Sequence, residues 1–191
     1  AGIGSQGIAI DGTPEQKARY LPRLASGELI GSFALTEPEV GSDAGSVRTT
    51  ARRDGDSYIL NGTKRFITNA PHAGIFTVMA RTNPEVKGAG GVSAFAVEAG
   101  VAGLSLGKAE RKMGQQGAHV CDVILDNCRV PADALIGGIE GQGFKTAMKV
   151  LDKGRLHIAA ACTGLAERII DDMLAYAVGR QQFGRAIAEF Q

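Results

Sequence analysis

Apolar residues follow three rhythms along the chain. Over residues 1–30 they fall at helical spacing, and Thr13-Pro14-Glu15 is a helix start: Thr13 can cap, Pro14 fits the first helical position, and Glu15 and Gln16 fill the first turn. Pro22 predicts a kink or break in this helix, and Ser26-Gly27 a stop. Over residues 31–140 the apolar runs are short or alternate: Ile30 to Leu35, Tyr58 to Leu60, Phe66-Ile67, Ile75 to Met79, Val92 to Val97 and Val120 to Leu125. Asp54-Gly55, Asn61-Gly62, Asn83-Pro84 and Gly88 to Gly91 separate them as turn signals, and Asn61-Gly62 predicts a hairpin. Short strands at this spacing predict an antiparallel sandwich or barrel. After Gly143 the period moves to near 3.6. Phe144, Met148, Leu151, Arg155, Ile158, Cys162, Leu165, Ile169, Met173 and Tyr176 form one stripe of a long helix ending near Gly179. Gly154 lies inside it at a cost of ~1 kcal/mol relative to Ala. The layout is α+β: a helix pair, a β domain and a long helix.

Composition narrows the function classes. Lys and Arg total 21 against 20 Asp and Glu, so there is no electrostatic case for nucleic acid or an anionic membrane surface. Any phosphate recognition must be local. With 27 glycines in 191 residues, about twice the usual share, many tight turns are expected. Cys121, Cys128 and Cys162 lack Cys-x-x-Cys spacing and read as core thiols in a reducing compartment. No signal peptide and no apolar run of about 18 residues is present, so no membrane association is expected. The chain starts with Ala and stops at Gln191 without a stop signal, which suggests a fragment.

Several motifs fail on context. Gly2-Ile-Gly-Ser-Gln-Gly7 has the dinucleotide-fingerprint spacing but no preceding strand, and reads as a helix-packing or loop segment. Gly138 to Gly143 begins like a P-loop, yet Phe144 stands where the Lys is needed. His72, His119 and His157 are widely spaced, which argues against a metal site. No Gly-x-Ser-x-Gly elbow occurs.

Four features remain. In Phe33-Ala-Leu-Thr-Glu-Pro-Glu-Val-Gly-Ser-Asp43 an apolar run stops at a proline and turns into Gly41-Ser42. An apolar floor with a hydroxyl rim and a bare backbone corner suits a flat ring carrying phosphates, and is equally an ordinary strand and turn. In Asn61 to Asn69, Phe66 and Thr68 share a strand face and can border a heterocycle, or simply form a half-buried strand. Arg155 falls on the apolar stripe with Asp152 three residues before it, either a structural ion pair or the lining of a polar substrate passage. Arg180, Gln182 and Phe183 cluster where the long helix ends, as a phosphate site or a solvated helix terminus.

Together, in this order and spacing, these segments resemble the acyl-CoA dehydrogenase family. Arg111-Lys-Met-Gly-Gln-Gln-Gly117 and Val130-Pro131 add to the likeness. The resemblance implies the end of an N-terminal helical domain at 1–30, a middle β domain at 31–140 and the start of a C-terminal helical domain at 141–191. It implies FAD, with Phe33, Leu35, Thr36, Phe66, Ile67 and Thr68 around the flavin ring. Gly41 and Ser42 lie near the pyrophosphate and the acyl-CoA. Asp152 and Arg155 match the substrate side. Arg180, Gln182, Phe183 and Gln191 match a flavin-phosphate segment supplied by a neighbouring subunit, hence a homo-oligomer, a dimer or tetramer. The family usually carries Trp at the position of Phe66 and commonly Thr at that of Gln182.

The implied reaction is α,β-dehydrogenation of an acyl-CoA in fatty-acid β-oxidation, with an electron-transfer flavoprotein as acceptor, in a bacterial cytoplasm or a mitochondrial matrix. The family's base is a carboxylate. One branch places it just before the Arg, where this chain has Gly154; the common branch places it later, beyond Gln191. The chain alone is therefore expected to be catalytically incomplete. An acyl-CoA oxidase or flavin monooxygenase on the same fold is the near alternative, and a non-enzymatic β-rich binding module the distant one.

Overall fold

The structure, a computed structural model, describes residues 2–191. Two compact units divide the chain, one up to Leu151 and one from Asp152. In the first unit, helices α1 (Ile3–Asp11) and α2 (Pro14–Ser26) precede a seven-stranded sheet. Thr13 caps α2 as its sequence predicts: its hydroxyl accepts from the Gln16 amide, and Gln16 Oε1 accepts from the Thr13 N–H. The same Gln16 donates from Nε2 to the carbonyls of Asp133 and Leu135, tying α2 to the far end of the β region. The break expected at Pro22 does not occur; α2 runs through it and ends at Gly27 in the left-handed conformation.

The strands are β1 (Gly31–Ala34), β2 (Thr50–Asp54), β3 (Ser57–Thr68), β4 (Ile75–Arg81), β5 (Val92–Glu98), β6 (Leu104–Leu106) and β7 (Val120–Pro131). The α+β class holds, and most pairings are antiparallel: β2 with β3, β3 with β7, β4 with β5, and β6 with β7. The sheet is nevertheless mixed. β1 lies parallel to β4 from Ile75 to Val78, and Thr50 of β2 bridges in parallel to Arg81. β4 is buried at six of its seven residues because both sheet faces are covered. One core gathers around Tyr58, Leu60, Phe76, Phe95, Val97 and Val123. The other, around Ile8, Tyr20, Leu24, Ile75, Met79 and Ala147, seats the helices. Gly4 explains how closely α1 sits on β1: a Cβ there would lie 2.2 Å from the Gly31 carbonyl carbon. The Gly-x-Gly-x-x-Gly segment is thus a helix-packing surface, and Gly4 O also accepts from Thr77 Oγ1.

Asn61-Gly62 is not a hairpin. It lies within the 12-residue strand β3, whose hairpin with β2 turns instead at Gly55-Asp56. β3 and β7 carry two compensating bulges. Leu60 pairs with Cys128 but Gly62 with Leu125, so β7 holds one extra residue there. Lys64 pairs with Val123 but Ile67 with Cys121, so β3 holds the extra residue at the second bulge. Asn61 serves the first bulge by accepting from the Asn127 N–H through Oδ1. Gly62, at φ 150°, allows Thr49 to approach; a Cβ would lie 2.5 Å from Thr49 Oγ1.

The second unit comprises the rest of helix α3 (Gly143–Gly179) from Asp152 on and a hairpin of β8 (Gln181–Gln182) and β9 (Arg185–Ala186). Its helical apolar side chains, among them Leu156, Leu165 and Met173, are exposed. Cys121 and Cys128 are core thiols as expected, whereas Cys162 is exposed because it lies on this stretch. Among the described residues no helix is long and apolar enough to cross a membrane.

Gly62→Ala is expected to destabilise the first unit by about 1–3 kcal/mol through backbone strain and the Thr49 clash. Urea unfolding followed by circular dichroism measures it; an unchanged midpoint would refute the close-approach account.

Candidate functional site

β1 ends at Ala34, and the next three residues leave β4. Their backbone groups need new partners, since buried carbonyls are costly to leave unpaired. β3 supplies them. The Arg65 N–H donates to Thr36 O at 2.8 Å, and Lys64 Nζ donates to Leu35 O at 3.2 Å. Lys64 Nζ also donates to Glu37 Oε1 at 2.7 Å. Glu37 closes a tight turn by exchanging backbone hydrogen bonds with Val40.

Lys64 is 0% exposed and Glu37 6%. Glu37 is fully engaged: Oε1 accepts from the Thr49 N–H and hydroxyl as well as from Lys64, and Oε2 accepts from the Arg48 N–H. Burial pushes the Glu37 carboxyl upward. The Lys64 charge and hydrogen bonds from Lys64, Thr49 and Arg48 together outweigh it and hold the carboxyl below its ordinary range. Burial draws the Lys64 ammonium down to about 8, against the opposing pull of Glu37.

Neither residue stands out by residue type in a strand-and-turn reading. The missed signal is parity: Lys64 shares its alternation with Tyr58 and Leu60, so it belongs on the buried face. A Lys there requires a carboxylate nearby.

The two segments predicted around a ring are joined at the exits of β1 and β3, but their buried members part: Leu35 belongs to the core that seats the helices and Ile67 to the other. Leu35 is buried, while Phe33 and Thr36 are half-buried. The second bulge flips the phase of β3, so Lys64 and Ile67 both face inward although they are three residues apart. It turns Phe66 outward, with φ 58° and 58% exposure. Thr68 is exposed beside it, and its carbonyl accepts from Ser32 Oγ at 2.7 Å. Among the described residues no hydrogen bond engages the Thr36 or Thr68 hydroxyl. Gly41 and Ser42 follow on the exposed loop after the Glu37–Val40 turn. A cleft of about 390 Å³ lined by Thr13, Gln16, Arg19, Tyr20 and Asp133 contains none of these residues. Of the predicted residues, Phe66 and Thr68 stand on open surface.

In the second unit Asp152 and Arg155 do pair, at 2.5 Å, but the expected burial of Arg155 is wrong: both side chains are about 70% exposed. The stripe that Arg155 interrupts is itself exposed there, so no apolar surroundings force the pair. Arg180 follows the helix, its N–H donating to Tyr176 O and its carbonyl accepting from Ile187. Gln182 lies in β8, and Phe183-Gly184 form the hairpin loop, both at positive φ. Phe183 is 94% exposed and packs edge-on against Phe190, with ring centres 6.2 Å apart. Gln191 is exposed.

Two histidines far apart in sequence do meet: His72 Nε2 and His119 Nδ1 lie 2.8 Å apart. Among the described residues no group of three or more His, Cys, Asp and Glu side chains is placed to hold a metal ion.

The chain belongs to the acyl-CoA dehydrogenase family: the family's middle-domain model matches residues 32–128 and its C-terminal-domain model residues 141–191. The chain is 49% identical over 191 residues to the acryloyl-CoA reductase (NADH) of Anaerotignum propionicum, covering 99% of this chain and 48% of that protein. It is 48% identical over 189 residues to an acyl-CoA dehydrogenase of Bacillus subtilis, covering 99% of this chain and 49% of that protein. A solved acyl-CoA dehydrogenase complexed with FAD from Bacillus anthracis superposes with a TM-score of 0.90 at 41% identity, covering 99% of this chain and 32% of that one. The chain spans about half the length of the curated relatives it matches.

Because the Glu37 carboxyl is held below its ordinary value of 4.5, the unfolded chain takes up its proton first as the pH falls. The contribution of Glu37 is complete above about 4.5 and disappears as the pH drops through the folded value. Thermal unfolding between pH 3 and 6 is therefore expected to show a shallower acid loss in Glu37→Gln than in the wild type; parallel profiles would remove Glu37 from the account.

Proposed function

We propose that this chain provides the ring-binding half of an FAD site in an enzyme that dehydrogenates acyl-CoA thioesters between the α and β carbons. The single observation that carries this reading is the β3 bulge. A phenylalanine in the left-handed region is strained, and such strain persists where the surroundings over-determine it, commonly at ligand clamps. Here Phe66 is turned outward at φ 58°, two residues before the exposed Thr68. An exposed aromatic and two hydroxyls without hydrogen-bond partners fit the edge of a flat, partly polar ring.

In this reading Thr36 and Thr68 donate hydrogen bonds to the polar edge of the ring, and Phe33, Leu35, Phe66 and Ile67 exclude water from its apolar part. Gly41 lets the backbone come close to the pyrophosphate, and Ser42 serves the pyrophosphate or the acyl-CoA. Arg180, Gln182, Phe183 and Gln191 serve the phosphate end of a flavin held by a neighbouring subunit, in a dimer or tetramer. Asp152 and Arg155 line the approach of the acyl-CoA. Bound FAD supplies a hydride acceptor for the β carbon. The α-proton goes to a carboxylate supplied from outside residues 1–191, because Gly154 has no side chain to accept it. An electron-transfer flavoprotein would be the electron acceptor, in a β-oxidation sequence.

A second reading has one observation behind it: the relative at 49% identity is an acryloyl-CoA reductase (NADH). The same two C–H bonds would then be formed rather than broken.

The complete protein is expected to purify yellow and to bleach anaerobically when a saturated short-chain acyl-CoA is added. Bleaching by NADH with recovery on adding acryloyl-CoA would favour the reductive direction. A colourless protein that takes up no FAD would end both readings. Thr68→Val is expected to retain FAD but slow bleaching about tenfold or more, the equivalent of one lost hydrogen bond.

A further inference from the structure

We propose that Glu37 and Lys64 are positioning residues for the flavin: their buried ion pair sets the spacing between the Thr36 rim on one segment and the Phe66–Thr68 rim on the other. The inference rests on the flavin reading above and adds to it two residues that touch neither ring nor substrate.

Three observations carry it. First, the pair is a poor device for stability alone. Burying two charges costs solvation that an apolar pair of similar volume avoids. Its retention at 0% and 6% exposure calls for something that apolar packing does not supply, namely directed bonds. Second, every bond of the pair ends on a segment that shapes the rim. Lys64 holds Leu35 O, one residue before Thr36, and Glu37 itself, one residue after it. Glu37 holds the N–H groups of Arg48 and Thr49, anchoring the far end of the loop that carries Gly41 and Ser42. Third, Lys64 is the last regular residue of β3 before the bulge that turns Phe66 outward, and its neighbour Arg65 donates to Thr36 O. The β1 exit has no ladder partner of its own, so its distance from the bulge is set by Lys64 and the Arg65 amide. Ser32, bonded to Thr68 O, fixes the same two strands further along.

The groups around the pair are few. Thr49 and the backbone of Leu35 and Arg48 face it directly, and Gly62 admits Thr49 to within reach of the carboxylate. Thr49 O is in turn held by the Arg81 N–H, which links the pair to β4.

The test uses the complete protein loaded with FAD and compares the wild type with K64M, E37Q/K64M and E37D. K64M leaves a buried carboxylate unpaired and is expected to lower the melting temperature and loosen FAD together. E37Q/K64M removes both charges but keeps an oxygen for Thr49, so the melting temperature is expected to recover to near the wild-type value. FAD is nevertheless expected to bind at least tenfold more weakly in this double variant, with a less resolved oxidised-flavin band. E37D keeps both charges and draws the carboxylate back by one methylene. It is expected to weaken FAD binding at least tenfold with the fold intact, so the test does not depend on the double variant folding. Either variant, folded and with wild-type FAD affinity and band shape, would reduce the pair to a purely structural role. A wild type that binds no FAD would instead end the flavin reading itself.

Discussion

The turn after β1 and the loop that follows it are organised around one buried ion pair, Glu37 with Lys64. Without Glu37, the Lys64 ammonium would lie in a sealed core with one carbonyl for company. Without Lys64, a carboxylate would face three backbone and hydroxyl donors carrying a charge that nothing balances. Breaking such a pair typically costs about 3–5 kcal/mol, far more than its net contribution when intact. That asymmetry makes it specific. The turn after β1 closes on Glu37, and the loop from Gly41 to Thr49 returns to the same carboxylate.

Much of this was legible in the sequence, and the reasons differ from element to element. The capping of α2 was readable because Thr13, Pro14 and Gln16 act locally. The family was readable from the order and spacing of Phe33–Thr36, Phe66–Thr68 and the segments around them. Asn61-Gly62 misled because it has hairpin chemistry but serves a bulge, and only the pairing of β3 with β7 determines which. The break at Pro22 did not occur because α2 is packed on both sides of it, with Tyr20 and Leu24 buried in the same core. Lys64 was missed because a lysine in a strand reads as solvated; the partner that makes burial tolerable is 27 positions away. Arg155 was misjudged for the opposite reason. A helical stripe predicts burial only if something covers it, and in this chain that stretch of α3 is exposed.

Two phenylalanines share an unusual property. Phe66 and Phe183 both have positive φ and both stand exposed, one at the bulge within β3 and one in the loop between β8 and β9. Bulky side chains seldom adopt that conformation, so each position holds its ring outward against a local preference. One is in each unit, and each lies in a segment that the family likeness assigns to the flavin.

The paired bulges of β3 and β7 make length a shared property of the two strands. The register at Tyr58 and Val130 returns at Thr68 and Val120 only because each strand carries one residue in excess. Losing one residue at either bulge alone would turn the remainder of that strand inside out, presenting core side chains such as Cys121 or Cys128 to water. In descendants of this chain, insertions and deletions at these two places should be inherited as matched pairs, so that neighbouring strands keep a common count even as their residues change.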